Sequence, residues 1–206
     1  MSDAETRALL NGRVLVEEKM DGKPVVFGAG KYILFAEDMR KQHSIYYRLP
    51  GRYAVFDVYD QHRSVFLSLD EKLSVARKLR DGKIQVGDVP SVLFFPVPVV
   101  AIGSYNLSGL PQLCGMSAYA YNRKTGEPAI MEGIVVKPDR DLFLFEFVAG
   151  KIVMAEFEEG IATHHLRLPF QMNAIDPTNV NVIYPSFVVY PADSPVKLEN
   201  NNPIRA

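Results

Sequence analysis

The sequence lacks the features that mark several classes of protein. Its only cysteine is Cys114, which excludes an internal disulfide framework and a zinc site built from cysteines. Glycine and proline contribute just 14 residues each, so the chain is neither collagen-like nor of low complexity. No signal peptide is visible at the N terminus, and the longest apolar run, Val92–Ile102, is about half a membrane span. We therefore expect a cytoplasmic protein that does not associate with a membrane.

An excess of charge of either sign is also missing. The 206 residues include 23 Lys and Arg against 24 Asp and Glu, which gives a formal net charge of −1 at pH 7. This balance excludes a surface that attracts nucleic acid as a whole, although a local basic groove is compatible with it. Apolar residues make up 48% and charged residues 23%, proportions typical of a globular protein with a buried core.

The composition of the chain changes near residue 172. Before this point, short β-rich segments alternate with a few helical ones, whereas asparagine and proline are frequent afterwards. We expect one mixed α+β domain over residues 1–172 and a partly ordered extension over residues 173–206. The local patterns predict strands at Val14–Val16, Tyr53–Tyr59 and Ser186–Tyr190, a helix at about 69–80 with Ser68 and Glu71 as its capping box, a short helix around Pro111–Ala120, and a hairpin formed by Leu142–Val148 and Ile152–Phe157.

The segment Lys19-Met20-Asp21-Gly22 is the first candidate for chemistry. It follows an apolar strand, and its Asp-Gly turn can hold the lysine amine in a concave site rather than in bulk solvent. A lysine in such a site can act as a covalent nucleophile once its amine is neutral. From these residues alone, the alternative is an ordinary surface turn.

Two further segments place charged side chains next to apolar strands. Glu132 and Lys137 enclose the stretch Gly133–Val136, although strict alternation would send the two charged side chains to opposite faces. Asp57 follows Phe56 within a strongly predicted strand. A buried charge needs a partner, and an aromatic ring can stack on a base. The structural alternatives are solvated ends of a buried strand, and a core phenylalanine beside a solvent-facing aspartate.

Together these segments resemble the covalent nucleotidyltransferase superfamily, which includes ATP-dependent ligases and messenger-RNA capping enzymes. Glu18–Gly22 is similar to its nucleophile motif, and Glu132–Lys137 is similar to its fourth motif. The stretches that resemble the RNA ligase family in particular are Phe35–Glu37, Lys41–Tyr47 and Tyr53–Asp60. The resemblance implies an α+β nucleotidyltransferase domain, similar to an ATP-grasp-like ligase, in which antiparallel sheets enclose a nucleotide cleft.

The resemblance also implies roles for individual residues. Lys19 would be the catalytic nucleophile that takes AMP, Glu37 would contact the ribose, and Phe56 would stack on adenine. Lys137 would contact the α-phosphate. The other nucleotide-binding residues that the resemblance implies are Glu18, Asp21, Gly22, Asp57, Glu132 and Lys151.

The implied cofactors are ATP and a divalent metal, Mg²⁺ or Mn²⁺, which Asp57 and Glu132 would bind through their carboxylates. The implied reaction passes AMP from Lys19 to an RNA 5′-phosphate end, and an RNA 3′-hydroxyl end then displaces it. Because the net charge is close to zero, we expect weak, strongly salt-sensitive binding of RNA. We also expect that sealing needs either a partner protein for substrate capture or a pre-adenylated nicked end.

Three departures from the family pattern leave other functions open. Lys19 and Glu37 are only 18 residues apart with no Ser-Arg-Gly between them, and Ala36 replaces a glycine. Phe145-Glu146-Phe147 stands where the last motif normally offers two lysines, which leaves Lys151 as the nearby candidate. The preferred function is an ATP-dependent RNA ligase in RNA end-joining or repair. The alternatives are a degenerate relative that binds nucleotide or RNA ends without ligating, and a capping-type guanylyltransferase.

Overall fold

The computed structural model describes residues 2–157 and 171–182, in which β-strands form most of the regular structure. Helix α1 spans Asp3–Leu10 and helix α2 spans Leu69–Arg80. The strands in chain order are β1 (Val14–Glu18), β2 (Lys23–Ala29), β3 (Tyr32–Asp38), β4 (Tyr46–Leu49), β5 (Tyr53–Asp60), β6 (Val65–Phe66), β7 (Phe94–Pro96), β8 (Val99–Gly103), β9 (Met116–Tyr121), β10 (Pro128–Ile130), β11 (Gly133–Pro138), β12 (Leu142–Phe143), β13 (Gly150–Val153) and β14 (Ala174–Ile175).

These strands form three sheets, and most neighbouring strands are antiparallel. The first sheet has the order β13-β11-β1-β8, and the second has the order β10-β9-β4-β14. The third has the order β12-β6-β5-β3-β2, with β7 beside β5. The pairs β14–β4 and β5–β7 are parallel. Strand β1, which leads into Lys19, therefore lies between two partners inside its sheet.

The predicted fold class is wrong. The sequence predicted an α+β nucleotidyltransferase domain, whereas the chain folds into a sheet-rich structure with three mostly antiparallel sheets. The segment predicted as a helix around Pro111–Ala120 contributes to this difference. It contains a 3₁₀ turn at Leu110–Leu113 and then the strand β9, which pairs with β4 and β10. Gly115 disfavours a helix at this point, and the cross-strand partners favour an extended chain.

Two other local predictions also differ from the structure. Helix α2 has the predicted bounds, but Ser68 forms no side-chain cap and instead donates its backbone N–H to Asp141 Oδ1 at 2.8 Å. The predicted hairpin over residues 142–157 is wrong, because β12 pairs with β6 and β13 pairs with β11. A 3₁₀ turn at Leu144–Glu146 redirects the chain between them. The predicted strand Ser186–Tyr190 lies outside the described residues.

Strand β1 is buried along its whole length, which positions the candidate site. Val14 and Val16 pack with Ile134 and Val136 of β11 in one core cluster, while Leu15 packs on the other side against α2. The apolar alternation therefore fixes β1 between two layers, and its last two residues carry their carboxylates into the interior.

The boundary predicted at residue 172 stays a prediction. Within the described part of the extension, β14 pairs with β4, and the Asn173 side chain accepts the Tyr47 backbone N–H at 2.9 Å.

Among the described residues, no helix combines the length and the apolar character needed to cross a membrane.

Candidate active site

A cavity with a volume of about 260 Å³ lies at the end of β1, beside Lys19. Its charged lining residues are Glu17, Glu18, Lys19, Glu37, Asp57 and Lys137. Its apolar lining residues are Met20, Phe56, Val97, Val135, Phe147 and Ala149. A lining that joins apolar and aromatic surface to a few charged groups suits a ligand with a flat ring and polar groups.

Lys19 pairs with Glu132 at the margin of this cavity. The Lys19 Nζ atom lies 2.6 Å from Glu132 Oε2, and the side chains are 23% and 6% exposed. The Lys19 backbone N–H donates to the Gly133 carbonyl at 2.9 Å, which continues the pairing of β1 with β11. The backbone of Lys19 is thus held by the sheet, while its side chain is partly exposed.

Two glycines permit the close approaches around this pair. A Cβ atom at Gly133 would lie 2.0 Å from the Ile152 carbonyl oxygen, so a side chain would separate β11 from β13. A Cβ atom at Gly22 would lie 2.8 Å from Glu37 Cβ and would displace that side chain. Gly22 therefore contributes to the site through the space that it leaves for Glu37.

The turn after Lys19 is anchored to β4 and to the segment before it. The Asp21 backbone N–H donates to the Tyr47 hydroxyl at 3.3 Å. The Asp21 carboxylate accepts hydrogen bonds from the Ser44 hydroxyl and from the Ser44 backbone N–H, the latter at 2.8 Å. The structure thus gives Asp21 a role in shaping the turn, and the predicted contact with nucleotide stays a prediction.

A buried charge network lies against the cavity wall. Lys137 Nζ donates to Asp57 Oδ1 at 2.7 Å and to the Phe56 carbonyl at 2.8 Å. The same atom lies 2.7 Å from Glu17 Oε2. Lys72 of α2 donates to the Glu17 carboxylate and to the Phe56 carbonyl, the latter at 3.1 Å. Two carboxylates and two ammonium groups therefore balance one another in a region of low dielectric constant.

The network shifts the pKa values of its members. Burial raises the pKa of Glu17, but Lys137 and Lys72 outweigh burial and leave that pKa below its usual value. Burial lowers the pKa of Lys137, but Glu17 and Asp57 outweigh it and leave that pKa above its usual value. Burial is also the main cause that lowers the pKa of Lys72. Lys137 is therefore held as a cation in the cavity wall.

Glu18 is a second kind of buried carboxyl group, since it has hydrogen bonds but no ion pair among the described residues. It accepts hydrogen bonds from the Ser117 hydroxyl and from the Ala118 backbone N–H, the latter at 3.1 Å. Burial raises the pKa of Glu18 to about 7, and these two hydrogen bonds oppose the rise. Glu18 therefore titrates near neutral pH next to the candidate nucleophile.

Glu37 faces the cavity from β3. Burial raises the pKa of Glu37 to about 7, Lys19 opposes the rise, and the charges of Asp21 and Glu132 add to it. The Oε2 atom of Glu37 is buried and accepts no hydrogen bond from any described residue. This oxygen is an acceptor for which a bound ligand can supply the donor.

The structure brings most of the predicted site residues together. Phe56 is half-buried, lines the cavity and packs on its other side against the core. Lys151 is exposed and does not line the cavity, but it pairs with Val135, which does. Because cross-strand partners share a face of the sheet, Lys151 lies beside the cavity rather than within it.

Three residues of the site were not predicted from the sequence. Glu17 and Lys72 form half of the charge network, and the Phe147 ring lines the cavity. A signal for Lys72 was present in the sequence, since it falls on the apolar stripe of α2 between Leu69 and Leu73, both buried. A lysine at such a position needs an acidic partner from another element.

The carboxylates could bind a metal together with a ligand. No group of three or more His, Cys, Asp or Glu side chains within residues 2–157 and 171–182 is arranged to hold a metal ion. Of the two predicted metal ligands, Glu132 lies beside Lys19, and Asp57 is engaged with Lys137. Carboxylate oxygens are ligands that Mg²⁺ prefers, but both carboxylates pair with lysines here, so the predicted metal site stays a prediction.

The sequence matches the model of one protein family. The model of the family described as RNA ligase matches residues 28–153, more than half of the sequence. This segment includes Glu37, Phe56, Glu132 and Lys137, whereas Lys19 precedes it. No match to a curated protein or to a solved structure was found. On the extent of the family match, the chain belongs to the RNA ligase family.

Proposed function

We propose that the protein is an ATP-dependent RNA ligase that joins RNA ends through a lysyl-AMP intermediate on Lys19. Membership of the RNA ligase family supports ligation in general. The finer proposal depends on one observation, the position of the Lys19 amine. This amine lies 2.6 Å from Glu132 at a cavity that also contains the Phe56 ring and the Lys137 ammonium.

In the first step, the neutral amine of Lys19 attacks the α-phosphorus of ATP. The new N–P bond forms as the bond from the α-phosphorus to the bridging oxygen breaks, and pyrophosphate leaves with the electron pair. The lysine must release a proton before the attack, and the Glu132 carboxylate is the adjacent acceptor. Negative charge grows on the phosphate oxygens, where the buried ammonium of Lys137 stabilises it.

The remaining cavity residues suit the nucleoside. The half-buried ring of Phe56 offers a face on which adenine stacks. The buried Oε2 atom of Glu37 accepts a hydrogen bond from a ribose hydroxyl, which satisfies an oxygen that has no partner among the described residues. Both contacts place the α-phosphate toward Lys19.

A divalent cation fits this site as a partner of the nucleotide phosphates. Mg²⁺ in proteins is commonly bound by one or two carboxylates and by phosphate oxygens, and Glu132 and Asp57 are the proposed protein ligands. When bound, Mg²⁺ or Mn²⁺ supplies positive charge that stabilises the leaving pyrophosphate.

In the later steps, AMP is transferred and then displaced. An oxygen of the RNA 5′-phosphate attacks the phosphorus of the lysyl-AMP, the N–P bond breaks, and Lys19 recovers its proton. The RNA 3′-hydroxyl then attacks the activated 5′-phosphate, loses its proton and displaces AMP as the phosphodiester bond forms.

A second candidate function, binding of nucleotide without ligation, is favoured by Phe147. The last motif of the family places lysines near this position, whereas the Phe147 ring lines the cavity and packs against Phe66, with 4.4 Å between ring centroids. In this case the cavity holds a nucleotide, and Lys19 forms no covalent bond.

Labelling with nucleotide separates these functions. The protein is incubated with Mg²⁺ and with ATP or GTP labelled at the α-phosphate, and it is then denatured. We expect retained label from ATP, none from GTP, and none with Lys19→Arg, which preserves the charge beside Glu132. Lys83→Arg, at an exposed lysine remote from the cavity lining, is the matched control. Bound but non-covalent ATP would favour the second candidate, and label from GTP would favour a capping-type guanylyltransferase.

A further inference from the structure

Two tyrosines face outward from the sheet that contains β4 and β9. Tyr46 and Tyr121 lie directly opposite each other in the antiparallel register. The next pair in that register, Tyr47 and Ala120, is buried in the core. Because successive residues of a strand point to opposite faces, Tyr46 and Tyr121 lie on the outer face of the sheet.

Each of these tyrosines has an arginine over its ring. The guanidinium carbon of Arg48 lies 4.6 Å from the centroid of Tyr121, and that of Arg123 lies 4.9 Å from the centroid of Tyr46. We name these four residues the Arg–Tyr face. Both arginines are exposed, so the rings hold two guanidinium groups at defined positions on the surface.

Neutral side chains hold Arg123 further in place. Its Nη1 atom donates to Gln42 Oε1 at 2.8 Å and to Gln171 Oε1 at 2.7 Å. Within the described residues, its other N–H groups and all those of Arg48 donate to no protein acceptor. A guanidinium group has five N–H donors, so both arginines retain the paired donors that bind a phosphate.

The charge of these two arginines is not neutralised by an ion pair among the described residues, in contrast to Arg13 and Arg140. Arg13 pairs with Asp139 at 2.9 Å, and Arg140 pairs with Glu146 at 3.4 Å. Asp176 interacts electrostatically with Arg48, but its carboxylate accepts its hydrogen bonds from Thr178. The Arg–Tyr face is thus a local positive surface on a chain whose net charge is −1.

We propose that the Arg–Tyr face binds the sugar–phosphate backbone of the RNA substrate, outside the nucleotide cavity. The proposal rests on the proposed function, since a ligase must hold an RNA end near its nucleophile. Strand β4 also connects this face to the nucleophile turn, because the Tyr47 hydroxyl, on the opposite face of β4, accepts the Asp21 backbone N–H at 3.3 Å in the turn after Lys19. The same strand therefore presents arginine to solvent and contacts the nucleophile turn. Planar guanidinium groups suit phosphate, and binding through them requires no particular base sequence.

The test is a binding titration of fluorescent nicked RNA duplex at several salt concentrations. The full chain is compared with the double variant Arg48→Gln and Arg123→Gln. The control is the double variant Arg13→Gln and Arg140→Gln, which changes the net charge by the same amount on arginines that pair with acids. Loss of two phosphate contacts should lower the slope of log affinity against log salt by about 2. The affinity of the Arg48/Arg123 variant at low salt should fall at least about tenfold, with little change in the control.

Labelling of Lys19 by ATP is measured on the same samples and should be equal in all three proteins. The proposal is overturned if the Arg48/Arg123 variant binds RNA as the unchanged protein does, or if the control loses as much affinity. It is also overturned if an acidic peptide of equal charge competes as well as RNA, since the face would then bind acidic protein. An unlabelled Lys19 together with arginine-dependent RNA binding would contradict the ligase mechanism alone.

Discussion

At the residue scale, burial determines how the acidic groups of the cavity behave. Glu17 is buried against two lysines and stays ionised, whereas Glu18, the next residue, has only hydrogen bonds from Ser117 and Ala118. Alternation along β1 explains the difference, because adjacent residues face different layers of the fold. Strand β1 therefore places two different carboxyl groups next to Lys19. Glu17 is ionised, and Glu18 has a raised pKa.

Glu18→Gln should change how stability depends on pH. The pKa of Glu18 is raised from 4.5 to about 7 in the folded protein, so the folded state binds this proton more tightly than the unfolded state. Its contribution to stability is therefore present below about pH 4.5 and is lost as pH rises to about 7. From pH 5 to pH 8, the variant should gain about 2 to 3 kcal/mol of unfolding free energy relative to the unchanged protein.

Urea denaturation at the two pH values measures this difference. The control is Glu127→Gln, at an exposed position. Its unfolding free energy relative to the unchanged protein should be the same at pH 5 and at pH 8. If the difference in unfolding free energy between Glu18→Gln and the unchanged protein is the same at pH 5 and pH 8, Glu18 is not a buried acid with a raised pKa.

Phe56→Leu should separate base stacking from core packing. Phe56 lines the cavity with one side and packs against the core with the other, and leucine keeps much of the apolar volume while removing the flat ring. Affinity for ATP should fall by about 1–3 kcal/mol, the range for loss of base stacking. Calorimetric titration measures this affinity, with Phe145→Leu as the control at a ring that is 86% exposed. A loss of stability with unchanged affinity would show that Phe56 serves the core alone.

At the scale of elements, helix α2 connects the first and third sheets through one buried lysine. Lys72 contacts Glu17 of β1 and the Phe56 carbonyl of β5. These two acceptors also contact Lys137, so α2 helps to hold the cation of the cavity wall in position. The helix thus contributes to the site, although Lys72 does not line the cavity.

Lys72→Met should destabilise the protein strongly. Removal of one partner from a buried ion pair leaves Glu17 with reduced compensation and costs roughly 3–5 kcal/mol. The double variant Glu17→Gln and Lys72→Met removes both charges and should recover most of that loss. Lys78→Met, on the exposed side of α2, should change stability by about 0.5 kcal/mol or less.

Thermal or urea denaturation of the three variants provides the measurement. Equal destabilisation by the single and double variants would contradict a charge network. Such a result would indicate that the Lys72 side chain stabilises the fold through its packing rather than through its charge.

Elements built from local patterns were the most predictable. Strand β1, strand β5 and helix α2 follow apolar periodicities that the sequence displays. The predicted hairpin over residues 142–157 failed because β12 pairs with β6, far away in the chain, and β13 pairs with β11 rather than with β12. Such pairing depends on tertiary contacts, which a local pattern does not contain.

At the scale of the whole molecule, the site forms where separate sheets meet. Lys19 follows a strand of the first sheet, whereas Glu37 and Phe56 belong to strands of the third. Alternation suggested that Glu132 and Lys137 face opposite sides of one strand. The structure resolves this difficulty, because β11 begins after Glu132, whose carboxylate is then placed against Lys19.

The order of the motifs therefore predicted which residues lie close together, whereas the predicted fold class was wrong. The candidate nucleophile and its carboxylate partner were identified from residues at the ends of strands, and the structure places them in contact. The α+β expectation was wrong because the helices are few beside the strands of three sheets, a balance that depends on which segments pair. The burial of Lys72 was signalled by its position on the apolar stripe of α2, but its pairing with Glu17 could not be predicted because it joins residues 55 positions apart.

Peptide mapping tests whether AMP forms a covalent bond with Lys19. The protein is incubated with ATP and Mg²⁺, digested, and analysed by mass spectrometry under conditions that preserve the phosphoramidate bond. We expect AMP on the peptide that contains Lys19, and an unmodified peptide from Lys19→Arg. AMP on a different residue, or an adduct that Lys19→Arg forms as readily, would contradict it.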